Sequence, residues 1–112
     1  MVNEKMNGLG IGMEIGLIEE GLVISLEGLG YCNVWNMDGE WRNVYISYVE
    51  VFEVGKGNGR ILWNIVESVL REIEVECIGL ECKEGKIGFW EKMGFKVEGI
   101  RSSIGIGMSM EL

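Results

Sequence analysis

The segment Val54-Gly55-Lys56-Gly57-Asn58-Gly59-Arg60 lies between an apolar run and an amphipathic one. Glycines at alternate positions let the backbone turn tightly and come close to a ligand. A helix starting there would expose N–H groups with no partner inside the helix, and its macrodipole would add partial positive charge. Lys56 and Arg60 add full charges. The segment therefore reads either as a phosphate cradle or as a glycine-rich turn that joins a strand to a helix. Two familiar phosphate loops are excluded. A Walker A loop needs Lys-Ser or Lys-Thr after its glycines, and neither is present. The dinucleotide fingerprint needs a glycine three residues after the second, whereas Gly59 follows Gly57 by two.

Downstream, Leu62, Ile65, Val66, Val69, Leu70 and Ile73 recur at helical spacing and predict an amphipathic helix from Ile61 to Ile73. Upstream, Tyr31 to Asn36 and Trp41 to Phe52 are rich in aromatic and β-branched residues and flank Asp38-Gly39, a hairpin signal. The second run is apolar at both parities, with Val44, Ile46, Tyr48 and Phe52 on one face and Tyr45, Val49 and Val51 on the other. That predicts a central strand covered on both sides. Further strands are expected at Ile15 to Ile18, at Leu22 to Leu26 and at Val75 to Glu81, and a second helix from Glu84 to Met93 is stopped by Gly94. A final pair of strands begins at Phe95 and ends in the alternation of Ile104, Ile106, Met108, Met110 and Leu112. Gly8, Gly10 and Gly12 punctuate the start. The fold class is α/β (α+β) with a mixed sheet.

The 112 residues, 47% apolar and 25% charged, make one domain's worth of sequence, read as a single domain over 1–112 with 1–21 poorly defined. Ala, Pro, Thr, His and Gln are absent. At ordinary usage the absence of Pro alone has a chance of roughly three in a thousand. These five are the residue types whose every codon contains cytosine, which suggests a cytosine-free coding strand; one cytosine-bearing Leu, Ser or Arg codon overturns that idea. Without His there is no imidazole base, no Ser–His or Cys–His pair and no His-containing zinc site. Cys32, Cys77 and Cys82 do not suggest a disulfide framework and read as small buried hydrophobes. A net charge of −8 argues against nonspecific nucleic-acid binding and favours small cationic partners. No apolar run reaches a membrane-spanning length and no signal sequence is evident, so a cytoplasmic protein without membrane association is expected.

The glycine loop resembles the pyrophosphate loop of the GNAT N-acetyltransferases, Arg/Gln-x-x-Gly-x-Gly/Ala, with Val54 to Gly59 matching its glycines. Ile87-Gly88-Phe89-Trp90-Glu91-Lys92-Met93-Gly94-Phe95 is similar to that family's last helix and its Tyr-Glu-Lys-x-Gly-Phe ending. The resemblance covers about Leu22 to Leu112. It implies a mostly antiparallel sheet with helices on its faces, splayed at the central strands, and acetyl-CoA as cosubstrate with no metal. It further implies that the loop amides of Gly55, Lys56, Gly57, Asn58, Gly59 and Arg60 take the pyrophosphate. The strand edge at Val49 and Val51 would hold the pantetheine arm, with an N–H near Val51 facing the oxyanion. A primary amine, small or on a peptide, would attack the thioester directly in a ternary complex.

The sequence departs from the pattern in places. Val54 replaces the usual Arg or Gln, and Lys83 and Lys86 stand where Asn and Ala are common. Trp90 occupies the position of the usual Tyr, the proposed proton donor; an indole N–H donates a hydrogen bond but is no acid near neutral pH. Glu50 is the first choice for a general base, with Glu40, Glu53 and Glu81 as alternatives. The family's first two helices, one wall of its acceptor site, are expected to be short or absent, and a homodimer is left open. The leading function is N-acetyl transfer. The alternatives are a catalytically weakened CoA-binding or structural module of the same fold, or a conceptual or designed translation of a cytosine-free gene with no native function.

Overall fold

A computed structural model describes residues 2–5, 12–102 and 105–112, with side chains over 12–99 and 105–112. Gly8, Gly10 and Ile104 lie outside the described residues. The chain runs β1 (Val2–Lys5), β2 (Gly12–Ile18), β3 (Gly21–Leu26), β4 (Gly30–Asn36), β5 (Asn43–Val51), α1 (Asn58–Glu72), β6 (Cys77–Cys82), α2 (Ile87–Lys92), β7 (Lys96–Ser102) and β8 (Gly105–Glu111). A turn of 3-10 helix at Glu84–Lys86 leads into α2, and Gly94 ends it at φ 107°. The strands form one eight-stranded sheet in the order β1-β2-β3-β4-β5-β6-β8-β7. Every neighbouring pair is antiparallel except β5 and β6, which α1 joins as a parallel crossover.

The Asp-Gly hairpin forms as its sequence predicts. Asp38 accepts hydrogen bonds from the N–H groups of Glu40 at 3.0 Å and Asn43 at 3.2 Å, fixing the turn between β4 and β5. These bonds, the one from Glu40 foremost, hold the Asp38 carboxyl below its usual pKa.

Both helices lie on the same face of the sheet. Leu62, Trp63, Ile65, Val66 and Leu70 of α1 are buried together with Ile24, Val34, Ile46, Ile78 and Met108. Trp63 joins this stripe, sharing a helical face with Val66 and Leu70, while Ile73 at the helix end is largely exposed. Edge-to-face contacts link the rings of Trp63, Trp90 and Phe95, with centroids 5.2–5.3 Å apart.

The expectation that β5 is covered on both sides is overturned. Asn33 pairs with Tyr48 but Val34 pairs with Ile46, so Ser47 is a one-residue bulge in β5. The bulge moves the side chains beyond it to the opposite face. Val44, Ile46, Val49 and Val51 accordingly share the helix side, while Tyr45, Tyr48 and Glu50 share the other, where Tyr48 is half exposed.

The expected burial of the cysteines holds fully only for Cys32; Cys77 and Cys82, near strand ends, are half-buried, and all three are free thiols. Burial pushes the Cys32 thiol up to about 12. A thiol whose folded pKa lies above its unfolded value stabilises the fold fully below the unfolded value and loses that contribution as pH rises through the folded one. Stability is expected to fall from about pH 9 upward, less steeply in Cys32→Ala. Denaturant midpoints measured across that range check this, and identical slopes for the two proteins would contradict it.

Candidate functional site

The ladder between β5 and β6 is short. It runs from Asn43↔Cys77 to Ile46↔Leu80 and then stops, although β5 continues to Val51. Beyond Ile46, β5 remains paired only with β4, as far as Gly30↔Val51. Gly30 permits that closeness: at φ 144° its α-carbon lies where a Cβ would run into the carbonyl oxygen of Glu50. The N–H of Phe52 donates to Leu29 O at 2.8 Å, toward β4. Strand amides alternate in direction, so those of Val49 and Val51 point the other way, into the seam left by β6.

The seam opens on the helix side into a cleft of about 880 Å³. Its floor and walls include Val49, Val51, Leu80, Trp63, Trp90 and Phe89. The glycine segment forms its rim. Gly57, at φ 79°, caps α1 with no side chain in attendance, and no acidic residue occupies the first turn. Ile61 is the first residue of α1 whose N–H reaches back to the loop, to Gly57 O at 3.3 Å. The N–H groups of Asn58, Gly59 and Arg60 are left without acceptors in the helix. The side chain of Asn58 donates instead to Phe52 O at 3.0 Å and fastens the loop to the end of β5. A Cβ on Gly59 would press on Phe89 at 3.2 Å, so the helix start packs tightly against α2.

Charge is distributed unevenly in this acidic chain. Arg60, Lys83, Lys86 and Lys92 line the cleft; Glu81 also borders it among the described residues, with its carboxylate beside Tyr45 on the outer face. Lys56 stands exposed in the loop, 4.0 Å from Glu53, a pairing worth little in solvent.

Of the residues singled out by sequence, Val49, Val51, Val54, Gly55, Gly57, Gly59, Arg60 and Trp90 meet at the cleft. Val54 is 76% exposed at the rim. Trp90 is buried in the aromatic cluster. Glu50 is not brought there. Beyond the bulge its side chain lies on the outer face, where Tyr48 Oη donates to its Oε1 at 3.4 Å. Across the seam on that same face, Tyr45 Oη donates to Glu81 Oε1 at 3.4 Å. The Glu50 charge keeps the Tyr48 phenol above its usual pKa, and burial followed by the Glu81 charge does the same for Tyr45. Sequence reasoning did not place Trp63 at the cleft, although its three- and seven-residue spacing to Val66 and Leu70 puts it on the buried stripe, nor Lys92, which it met only within the helix ending before Gly94-Phe95.

No family model and no curated protein sequence matches the chain. Solved structures do. An IAA acetyltransferase from Bacillus cereus superposes with a TM-score of 0.70 at 16% identity, covering 84% of this chain and 79% of the other. The PaiA N-acetyltransferase of Thermoplasma acidophilum, in complex with coenzyme A, gives 0.70 at 15% identity over 83% of this chain and 62% of the other. A GNAT family acetyltransferase from Elizabethkingia anophelis with acetyl-CoA bound gives 0.65 at 16% identity, over 84% and 78%. This chain has the GNAT fold. The mixed, mostly antiparallel GNAT sheet, splayed at its central strands, is the architecture expected from the glycine loop and the Gly94-Phe95 ending. No helix among the described residues is long and apolar enough to cross a membrane.

Proposed function

We propose that the protein is an acetyl-CoA-dependent N-acetyltransferase acting on a primary amine. The observation that carries this reading is the uncapped, acid-free start of α1, which opens beside Arg60 onto the seam between β5 and β6 of a GNAT fold. Three unpaired amides and the helix dipole suit a pyrophosphate, and Arg60, Lys83 and Lys86 in the cleft add charge, with Lys56 exposed in the loop. The inward amides of Val49 and Val51 suit a pantetheine arm lying along β5 as an added strand. The bound thioester supplies an activated acetyl group.

The chain's own residues then orient and polarise. The Val51 N–H is aimed at developing negative charge on the acetyl oxygen, a contribution available from any residue but Pro. The nitrogen–carbon bond forms as the carbon–sulfur bond breaks, with its electron pair leaving on sulfur. The proton released by the amine passes through water to Glu81 or Glu50 on the outer side of the seam, and the thiolate takes its proton from solvent. Trp90 contributes a wall and no acid, so the family's usual tyrosine step is not assigned here.

Calorimetry and thiol release test this together. Acetyl-CoA at a hundred times its dissociation constant should stabilise the fold by about 2.7 kcal/mol, raising the melting temperature by about 10 °C. Amine-dependent thiol release should accompany it. No shift at millimolar acetyl-CoA would end the reading. A shift without release from any amine would favour the second reading, a CoA-binding module, for which Trp90 at the proton-donor position is the specific observation.

A further inference from the structure

Positive charge at the cleft exceeds what a diphosphate brings. Four of the chain's ten cationic residues, Arg60, Lys83, Lys86 and Lys92, line it, in a sequence with 18 acids and a net charge of −8. None of the four forms an ion pair among the described residues, whereas Arg42, Lys56 and Arg71 each do. Glu84 and Glu91 share the segment with the three lysines but do not line the cleft. Lys86 and Lys92 lie three residues to either side of Phe89, the ring on which a Cβ at Gly59 would press at 3.2 Å. Residues three apart share a helix face, so these two lysines flank the point at which α2 packs on the start of α1. They stand at the diphosphate end of the cleft. The other end, where the ladder closes at Ile46↔Leu80, is apolar and lined by Ile46, Leu62, Val66 and Leu80.

A diphosphate diester carries two negative charges, so two of the four positive charges have no counterpart in it. A phosphate monoester brings a further charge of about −1.5 to −2 at neutral pH, with three acceptor oxygens, and closes the balance. Lys83 and Lys86 stand where Asn and Ala are common in the family, so this charge belongs to the chain and not to the fold. We propose that Lys83, Lys86 and Lys92 hold a phosphate monoester on the donor, the 3′-phosphate of coenzyme A, and that the protein thereby selects the complete cofactor against its 3′-dephospho form. The inference deepens the acetyl-transfer reading and rests on it for the identity of the donor. Diphosphate and monoester share one ribose, within the span of long side chains. Lysine suits the second group, because a point charge on a flexible stem follows a phosphate without fixed geometry. Each exposed contact is weak alone, and three converge on one anion. A charged acyl group would lie at the apolar end, away from the lysines, and a nucleic acid would meet a net charge of −8.

Acetyl-CoA and acetyl-3′-dephospho-CoA are the probes, titrated calorimetrically into the whole protein. Acetyl-CoA should bind about tenfold or more tightly, and its affinity should fall more steeply with added salt. Lys86→Gln combined with Lys92→Gln should close most of that margin, while Lys56→Gln should weaken both forms alike and leave it standing. All three lysines are exposed, and melting curves verify that the variants fold. Equal binding of the two forms by the unaltered protein overturns the proposal, and so does a margin that survives the double substitution. Either result leaves the acetyl-transfer reading in place, since acetyl-CoA still binds. If neither form binds, that reading falls, and adenosine 3′,5′-bisphosphate against adenosine 5′-monophosphate tests the lysines by themselves. No preference for the bisphosphate would then overturn the proposal as well.

Discussion

Trp63→Ala is expected to lose about 3–5 kcal/mol of folding stability, a large part of the roughly 6–17 kcal/mol typical of a domain this size. Trp63 is 2% exposed and is the largest of the fully buried side chains. Its ring meets Trp90 at 5.2 Å and Phe95 at 5.3 Å, both edge-on, so truncation removes apolar burial and two oriented aromatic contacts. It is also the residue through which α1, α2 and the start of β7 are joined, so little can collapse into the void. Trp63→Phe should lose far less, about 1–2 kcal/mol. That variant keeps most of the aromatic contact and removes an indole N–H that is buried with no acceptor among the described residues. Urea midpoints measure both. A loss below about 1 kcal/mol for the alanine variant would show that the aromatic cluster does not hold the helices to the sheet.

Lys56→Glu combined with Arg60→Glu is expected to weaken acetyl-CoA binding by about a hundredfold to a thousandfold while leaving the free protein folded. Each substitution replaces an attraction to the pyrophosphate by a repulsion, and charged hydrogen bonds are worth about 1.5–3 kcal/mol apiece. The effect on the free protein has the other sign. The first turn of α1 holds no acid, so a glutamate at position 60 complements the helix dipole and adds about 0.3–1 kcal/mol. Loss of the exposed Lys56–Glu53 pair subtracts little from this. Opposite signs in melting temperature and in affinity are hard to obtain from general damage. Calorimetry with acetyl-CoA beside a melting curve reads both, and unchanged affinity would move the pyrophosphate away from this loop.

Much of this was legible in the sequence because local chemistry carried it. Asp38-Gly39 forces a turn, the spacing from Leu62 to Leu70 makes a helix, and Gly94 supplies a positive φ that ends one. The glycine loop was readable for the same reason, since its composition is its mechanism. The bulge was not legible. Ser47 is an unremarkable residue in an apolar run, and only the pairing with β4 shows that one position is surplus. From that followed the mistaken faces of β5 and the expectation that both of them are covered. Lys92 was invisible as a cleft residue because it reaches the cleft only once α2 is folded back against α1. The acidic outer face needed one further fact, that both helices pack on one side.

Ser47 thus works as a switch of parity. Before it, even-numbered side chains of β5 look toward the helices; after it, odd-numbered ones do. Removing that single residue would swap both faces at once. Glu50 would turn into the basic cleft, and Val49 and Val51 would turn out toward the outer face. The charge contrast of the molecule across its sheet, basic on one side and acidic on the other, therefore hangs on a residue that carries no charge itself.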